Sequence, residues 1–262
     1  MDHLERVVAA AQSACHYKSF MRELLAVSSA RQISIVEIGA VGGDPILLLT
    51  TPRQKSPHLL VAAGFHGDEP GGCWGLLYFL WTTKDSTLAS CSISFLPLVN
   101  PTGFRLGKRQ NRWGEDPNRG FWHPEVLSGH LSREGAILLR EEGLLISLAT
   151  DGFLSLHEDV EVDKFYLYTF EQRDRPGPFS HALRSAEEEF FQPYPDGLFE
   201  GAHIEEGIAF CHCDGAFEDY LFHRGIRNTA CTETPGSREL SLRVQANAAI
   251  VNAFVRFATG HR

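Results

Sequence analysis

The sequence predicts a single α/β domain in which a sheet carries helices on both faces. Three observations predict it. Strand-like runs alternate with runs of helical spacing from one end of the chain to the other. Two of the strand runs, 58–63 and 92–99, are nearly continuous apolar stretches of the kind that lie in the middle of a doubly covered sheet. No linker, low-complexity tract or internal repeat divides the 262 residues, and a composition of 43% hydrophobic and 22% charged residues supports a substantial core.

The elements follow in order. Leu4, Val7, Val8, Ala11 and Cys15, then Phe20, Met21, Leu24 and Leu25, fall at helical spacing, so residues 2–27 form one or two helices. Residues 33–38 alternate, and Gly42-Gly43-Asp44-Pro45 turns the chain into 46–49, which makes a hairpin. The buried strand 58–63 leads to a helix over 71–81, and 92–99 is the next strand. Periodicity fails over 100–124, where Gly, Pro, Arg and Asn accumulate with Trp113 and Trp122; a loop this long in a compact domain is a functional candidate. A helix over 132–148, strands over 152–157 and 165–170, and a helix over 180–191 come next, before a Pro/Gly-rich excursion to residue 207. The chain ends with a short helix over 216–223, a strand over 228–234 and a long helix over 237–257 with Ser237 placed to cap it. The helices and hairpin of 1–57 precede a motif-bearing core of 58–262, all in one domain.

Charge excludes some functions. A formal charge of −9 argues against nonspecific nucleic-acid binding, which needs an excess of Lys and Arg on some face. Locally the balance reverses: Arg105, Lys108, Arg109, Arg112 and Arg119, with His123 nearby, face two acids, which marks this segment as a place for an anionic group. No run of eighteen apolar residues or secretory signal is present, so the expectation is a soluble cytoplasmic protein without membrane contact. The six cysteines form no C-x-x-C pair and read mainly as small core residues; Cys211-His212-Cys213 reads either as a metal-binding alternation on a strand or as buried or edge-strand thiols.

The chemistry-bearing residues sit at strand ends, where the crevice of an open α/β sheet lies. His66 and Glu69 follow the strand 58–63, His157 ends the strand 152–157, and Glu233 lies near the end of 228–234. Two imidazoles and one carboxylate make a ligand set that leaves the fourth position of zinc open for water. Taken alone, H-x-x-E is also the pattern of a solvated histidine beside a helix-capping glutamate.

The chain resembles the zinc metallocarboxypeptidase family of carboxypeptidase A type, especially its short bacterial members that act on cell-wall peptides. The matching pieces are Gly64-Phe65-His66-Gly67-Asp68-Glu69-Pro70, Asn100-Pro101-Thr102-Gly103, Arg109-Gln110-Asn111 running to Asp116-Pro117-Asn118-Arg119, Leu156-His157-Glu158, Gly215-Ala216-Phe217-Glu218-Asp219-Tyr220 and Thr232-Glu233, all in the family's order. The resemblance implies a twisted, mixed sheet of about eight strands between helices. It makes His66, Glu69 and His157 the ligands of one zinc ion per chain, Asn118 and Arg119 the grip on a substrate carboxylate, Arg109 the carbonyl-polarising residue and Glu233 the general base that activates the zinc-bound water. The implied activity is cleavage of an amide bond next to a free carboxylate, in a cell-wall fragment or other short peptide.

Several assignments stay open at this level. Arg112 is an alternative polarising and substrate-binding residue, and Arg119 has the alternative of holding a structural carboxylate such as Asp116. Asp68 and Glu158 either orient the ligands or are surface charges. The tyrosine that many digestive members carry ahead of the Gly215 stretch is missing from 208–214, with His212 the candidate replacement. Glu218, where the family often decides specificity, favours a basic or amino-bearing side chain if it points inward, and nothing if it lies on an exposed helix face. Two other functions compete: an N-acyl amino acid amidohydrolase of the succinylglutamate desuccinylase and aspartoacylase type, acting on an N-acyl amino acid, and an inactive zinc-binding interaction module.

Overall fold

The computed structural model describes residues 2–11, 16–52, 55–121 and 130–260; Cys15, Trp122, His123 and Pro124 lie outside them. The N-terminal region forms two helices, α1 (His3–Ala10) and α2 (Tyr17–Ala30). Asp2 and Glu5 close a reciprocal capping box on the first, satisfying amide donors that a helix start otherwise leaves unpaired. The hairpin follows as β1 (Ser34–Val41) and β2 (Asp44–Thr50), paired antiparallel.

The centre of the molecule is β3 (His58–Ala63), flanked in parallel by β4 (Ser92–Leu96) and β5 (Gly152–Asp159). Its continuous apolar run has a simple cause. Leu59, Val61 and Ala63 enter a core on one face with Trp74, Leu77 and Phe254, whereas Leu60 and Ala62 enter a second core with Leu138, Leu145, Phe217 and Leu221. Successive side chains point to opposite faces and both faces are covered, so no position on the strand is free to be polar. The first face is covered by α1, α2, α3 (Pro70–Thr82), α8 (Pro178–Glu188) and α10 (Leu240–Thr259), the second by α6 (Arg133–Arg140), α7 (Glu142–Leu148) and α9 (Phe217–His223). The remaining elements are α4 (Asp85–Leu88), α5 (Pro101–Leu106), β6 (Tyr166–Glu171), β7 (Gly197–Phe199), β8 (Ala202–Glu205), β9 (Ile208–Phe210) and β10 (Asn228–Pro235).

The sheet is mixed and has ten strands in the order β1-β2-β4-β3-β5-β10-β6-β9-β8-β7. Three strands that the pattern does not predict bring the total to ten where about eight were expected: β7 and β8 in the stretch read as an excursion, and β9 directly after it. The expected loop over 100–124 begins with α5, which Asn100 caps by accepting from the Gly103 amide at 2.8 Å and which Pro101 starts without needing a donor. The helix expected over 132–148 is two helices that meet at Glu141, with Ser132 capping the first at 2.9 Å. Ser237 does not cap the last helix, which starts at Leu240; its hydroxyl donates to the Val162 carbonyl instead. No helix among the described residues is long and apolar enough to cross a membrane.

Candidate metal centre and cleft

The site forms where three sheet elements end. Gly64 leaves β3 with φ of +67°, a conformation that turns the chain sharply and that side-chain-bearing residues avoid. The turn sets His66 against the sheet end. Gly67 then passes so close to α5 that a Cβ would overlap the backbone of Gly103 and Phe104, and its amide donates to the Lys108 carbonyl at 3.0 Å. Glu69 stands at the N-cap of α3 and Pro70 at its first turn. On β5, His157 pairs in register with Glu233 of parallel β10, and Ser155 with Cys231, so all four side chains share the sheet face that α9 covers.

His66, Glu69 and His157 come together although ninety-one residues separate the two histidines. His66 Nδ1 lies 2.6 Å from Glu69 Oε1, His157 Nδ1 lies 2.8 Å from Glu69 Oε2, and the two Nδ1 atoms are 3.1 Å apart. All three residues are buried. Two ring nitrogens facing each other beside one carboxylate suit a shared cation, which satisfies both lone pairs at once. Zinc bonds of 2.0–2.2 Å at tetrahedral angles separate ligand atoms by about 3.3 Å, close to the observed spacing, and imidazole with carboxylate is a donor set that zinc accepts. These residues fit the ion.

Asp116 holds the first ring from behind, its Oδ1 lying 3.1 Å from His66 Nε2. Glu69 takes a hydrogen bond from the Glu158 amide at 3.2 Å. The Glu158 carboxylate is itself buried: it caps α3 at the Gly71 amide (2.8 Å) and receives Arg243 of α10 at 2.8 and 2.9 Å. Glu158 is thus no surface charge. Asp68 is half-buried, and its Oδ1 has no hydrogen-bond partner among the described residues.

The electrostatics follow from crowding. Burial pulls His66 down, yet Glu69 and Asp116 outweigh it and carry its pKa up to about 9. Burial pushes Glu69 up, but the two histidines hold it well below the usual carboxylate range. Glu233 goes the other way: burial, then the charge of Glu69, push it to about 8. A cation among the three donors opposes that rise. Glu233 Oε1 takes a hydrogen bond from the Cys231 thiol at 3.7 Å.

The cleft beside these donors is lined by Arg109, Asn118, Arg119, Tyr168, His212, Asp214, Glu218, Cys231 and Glu233 as well as the two histidines. Arg109 reaches Glu69 at 3.5 Å and Asp116 at 3.3 Å. Arg119 pairs with Asp214 at 2.8 Å, not with Asp116. Asn118 accepts the Phe217 amide at 2.9 Å and turns its Nδ2 to the buried Glu218 (3.3 Å) and to His157 Nε2 (3.4 Å). Glu218 also accepts from Ser155 at 3.3 Å and faces inward. Arg112 is not brought into this cleft: it stands over Trp113 beside a separate groove with Asp44, Thr102 and Arg105.

The C-H-C motif does not form a metal group among the described residues. β9 ends at Phe210 and Cys211 turns with φ of +52°, which breaks the alternation, and both thiols are exposed. His212 enters the cleft by itself, its ring 5.8 Å from Tyr168. Sequence reasoning missed Tyr168, Asp214 and Cys231. Period-two spacing from Glu233 places Cys231 on the same face, a signal present in the sequence; Tyr168 enters through its pairing with Cys231 across β6 and β10, which no local pattern encodes.

Neither the protein-family models nor the curated proteins compared with this sequence give a match. Solved structures do. A candidate metallopeptidase of Shewanella amazonensis is 40% identical, with 94% of each chain covered and a TM-score of 0.90. One from Shewanella baltica is 38% identical over 94% of this chain and 93% of that one, also at 0.90. The fold extends to a metallo-carboxypeptidase of Pseudomonas aeruginosa, solved with (2-guanidinoethylmercapto)succinic acid, at 17% identity, 92% and 69% coverage and a TM-score of 0.62. A mixed sheet between helices that gathers two imidazoles and a carboxylate at its strand ends defines a metallopeptidase scaffold. The chain belongs to the same metallopeptidase family as these Shewanella proteins and shares its fold with metallo-carboxypeptidases.

Proposed function

We propose that this protein is a zinc-dependent carboxypeptidase that cleaves an amide bond next to a free carboxylate in a short peptide, cell-wall peptides included. The observation that carries the reading is the convergence of the His66, Glu69 and His157 donors at one cleft that Arg109, Arg119 and Glu233 also line.

A zinc ion held by His66, Glu69 and His157 would supply Lewis acidity and would make water acidic enough to act as a nucleophile near neutral pH. The protein's own groups do the rest. Asp116 accepts from His66 Nε2, which leaves Nδ1 as the ligand atom. Arg119 and Asn118 offer donors to the substrate carboxylate, and the planar guanidinium fork matches it. Arg109 donates to the carbonyl oxygen as it gains negative charge; loss of one such donor costs about 3–4 kcal/mol of barrier. Glu233 takes the proton of the attacking water on its carboxylate and returns it to the departing amine nitrogen. Glu218 favours a basic or amino-bearing side chain on the leaving residue, a preference in keeping with the guanidino ligand of the Pseudomonas structure.

Glu233→Gln tests the chemistry. The expected result is a fall in kcat of roughly 10²- to 10⁴-fold with zinc content still near one per chain. Undiminished hydrolysis with zinc retained refutes Glu233 as base. A matched pair of substrates tests the reaction class: the free-carboxylate peptide is cleaved and its C-terminal amide is not, and equal turnover of both rejects an exopeptidase.

A further inference from the structure

Arg119 is compensated by the protein itself. Its Nη2 lies 2.8 Å from Asp214 Oδ2, and its Nη1 donates to the Asn118 carbonyl at 2.8 Å. Asp214 is held where it is. Its own Oδ1 accepts from the Ala216 amide at 3.2 Å, and its backbone amide and that of Gly215 both donate to Asp219 Oδ2 at 2.9 Å, with Asp219 fully buried. The Gly215 carbonyl accepts from the Phe121 amide at 3.1 Å, so the loop that carries Asp214 is pinned to the segment that carries Arg119. A carboxylate arriving at Arg119 therefore meets a fixed carboxylate already there.

We propose that Asp214 is a specificity-determining residue that competes with the substrate's carboxylate for Arg119 and weakens the grip on simple C-terminal carboxylates. The proposal rests on the reading of Arg119 as the carboxylate anchor. Asp214 neutralises part of the charge that attracts the substrate and repels a second anion beside it. Both partners keep access to solvent, at 42% and 31% side-chain exposure, so screening limits the effect. An ion pair of this exposure is worth up to roughly fivefold in an equilibrium constant.

Asp214→Asn removes the charge and keeps the shape and the acceptor for Ala216. On the zinc-loaded protein, KM for peptides with a free carboxylate is expected to fall about fivefold, with the effect on KM and not on kcat, and the C-terminal amide gains nothing. Calorimetry with succinate as the probe is expected to show the same tightening. Unchanged or weaker succinate binding in Asp214→Asn overturns the proposal, because a residue that merely orients Arg119 acts in that direction. Asp214→Ser provides the second variant should the asparagine disturb the loop, and the expected sign is the same. If succinate tightens while no peptide is hydrolysed by either protein, the competition stands and the carboxypeptidase reading falls.

Discussion

Whether an imidazole binds a metal is decided as much by its far nitrogen as by its near one. Asp116 fixes the His66 ring at 3.1 Å and also receives Arg109, so one carboxylate orients a candidate ligand and a candidate catalytic group together. Asp116→Ala is expected to weaken zinc binding by about 10- to 100-fold, measured by competition with a chelating dye; an unchanged affinity would show that other contacts set the ring. The residues at the donors themselves were legible in the sequence because H-x-x-E at a strand end, a second strand-end histidine and a third strand-end glutamate need no knowledge of pairing to be located. The arginines were not separable in this way. Arg109 and Arg112 sit three residues apart in an aperiodic loop, and only the folded path sends one to Glu69 and the other to Trp113. Asp214 was hidden for a related reason: its partner Arg119 lies on a different loop, and nothing in either segment announces the other.

At the scale of elements, the packing of α8 on β10 contains a buried acid with a measurable consequence. Glu187 is fully buried, accepts from the Thr234 hydroxyl at 2.8 Å, and leaves Oε2 without a partner among the described residues. Burial, the dominant cause, pushes its pKa up to about 8. A carboxyl whose pKa is raised on folding favours the folded state fully below its unfolded value near 4.5, and that contribution is lost as pH rises towards 8. Glu187→Gln removes the loss. Urea unfolding at pH 5, 6.5 and 8 is expected to show the variant gaining on the native protein with rising pH, by on the order of 3 kcal/mol across the range, and parallel curves would refute the assignment. The long buried elements were legible because burial on both faces leaves an uninterrupted apolar run, as in β3. The short ones were not. In β8 only Ala202 and Ile204 point inward, and two alternations within a Pro/Gly-rich stretch are too few to distinguish a strand from a loop. The break at Glu141 was equally silent, since the apolar spacing continues across it from Leu138 to Leu145.

For the whole molecule, the donor set joins parts of the chain that fold around different neighbours. His66 and Glu69 lie on the connection from β3 to α3, whose far side packs on α10, and His157 lies on β5 beside β10 at the middle of the ten-stranded sheet. Glu158, one residue further along, ties the same point to α10 through Arg243. An ion held there would tie the β3–α3 connection to the adjacent strand β5 and would be released when either unfolds, so its binding free energy adds to the stability of the folded state. With free zinc at about a thousand times the dissociation constant, the added stability is about 4 kcal/mol. For a domain of this size each kcal/mol moves Tm by roughly 2–4 °C, so removal of zinc by a chelator is expected to lower Tm by on the order of 10 °C. His157→Ala separates a specific site from general binding of zinc to surface acids. The variant is expected to melt at the same temperature with and without zinc, because two remaining donors cannot hold the ion tightly. Equal melting of the native protein in zinc and in chelator would show that the three convergent donors hold no metal, and a zinc response that survives in His157→Ala would place the bound ion elsewhere.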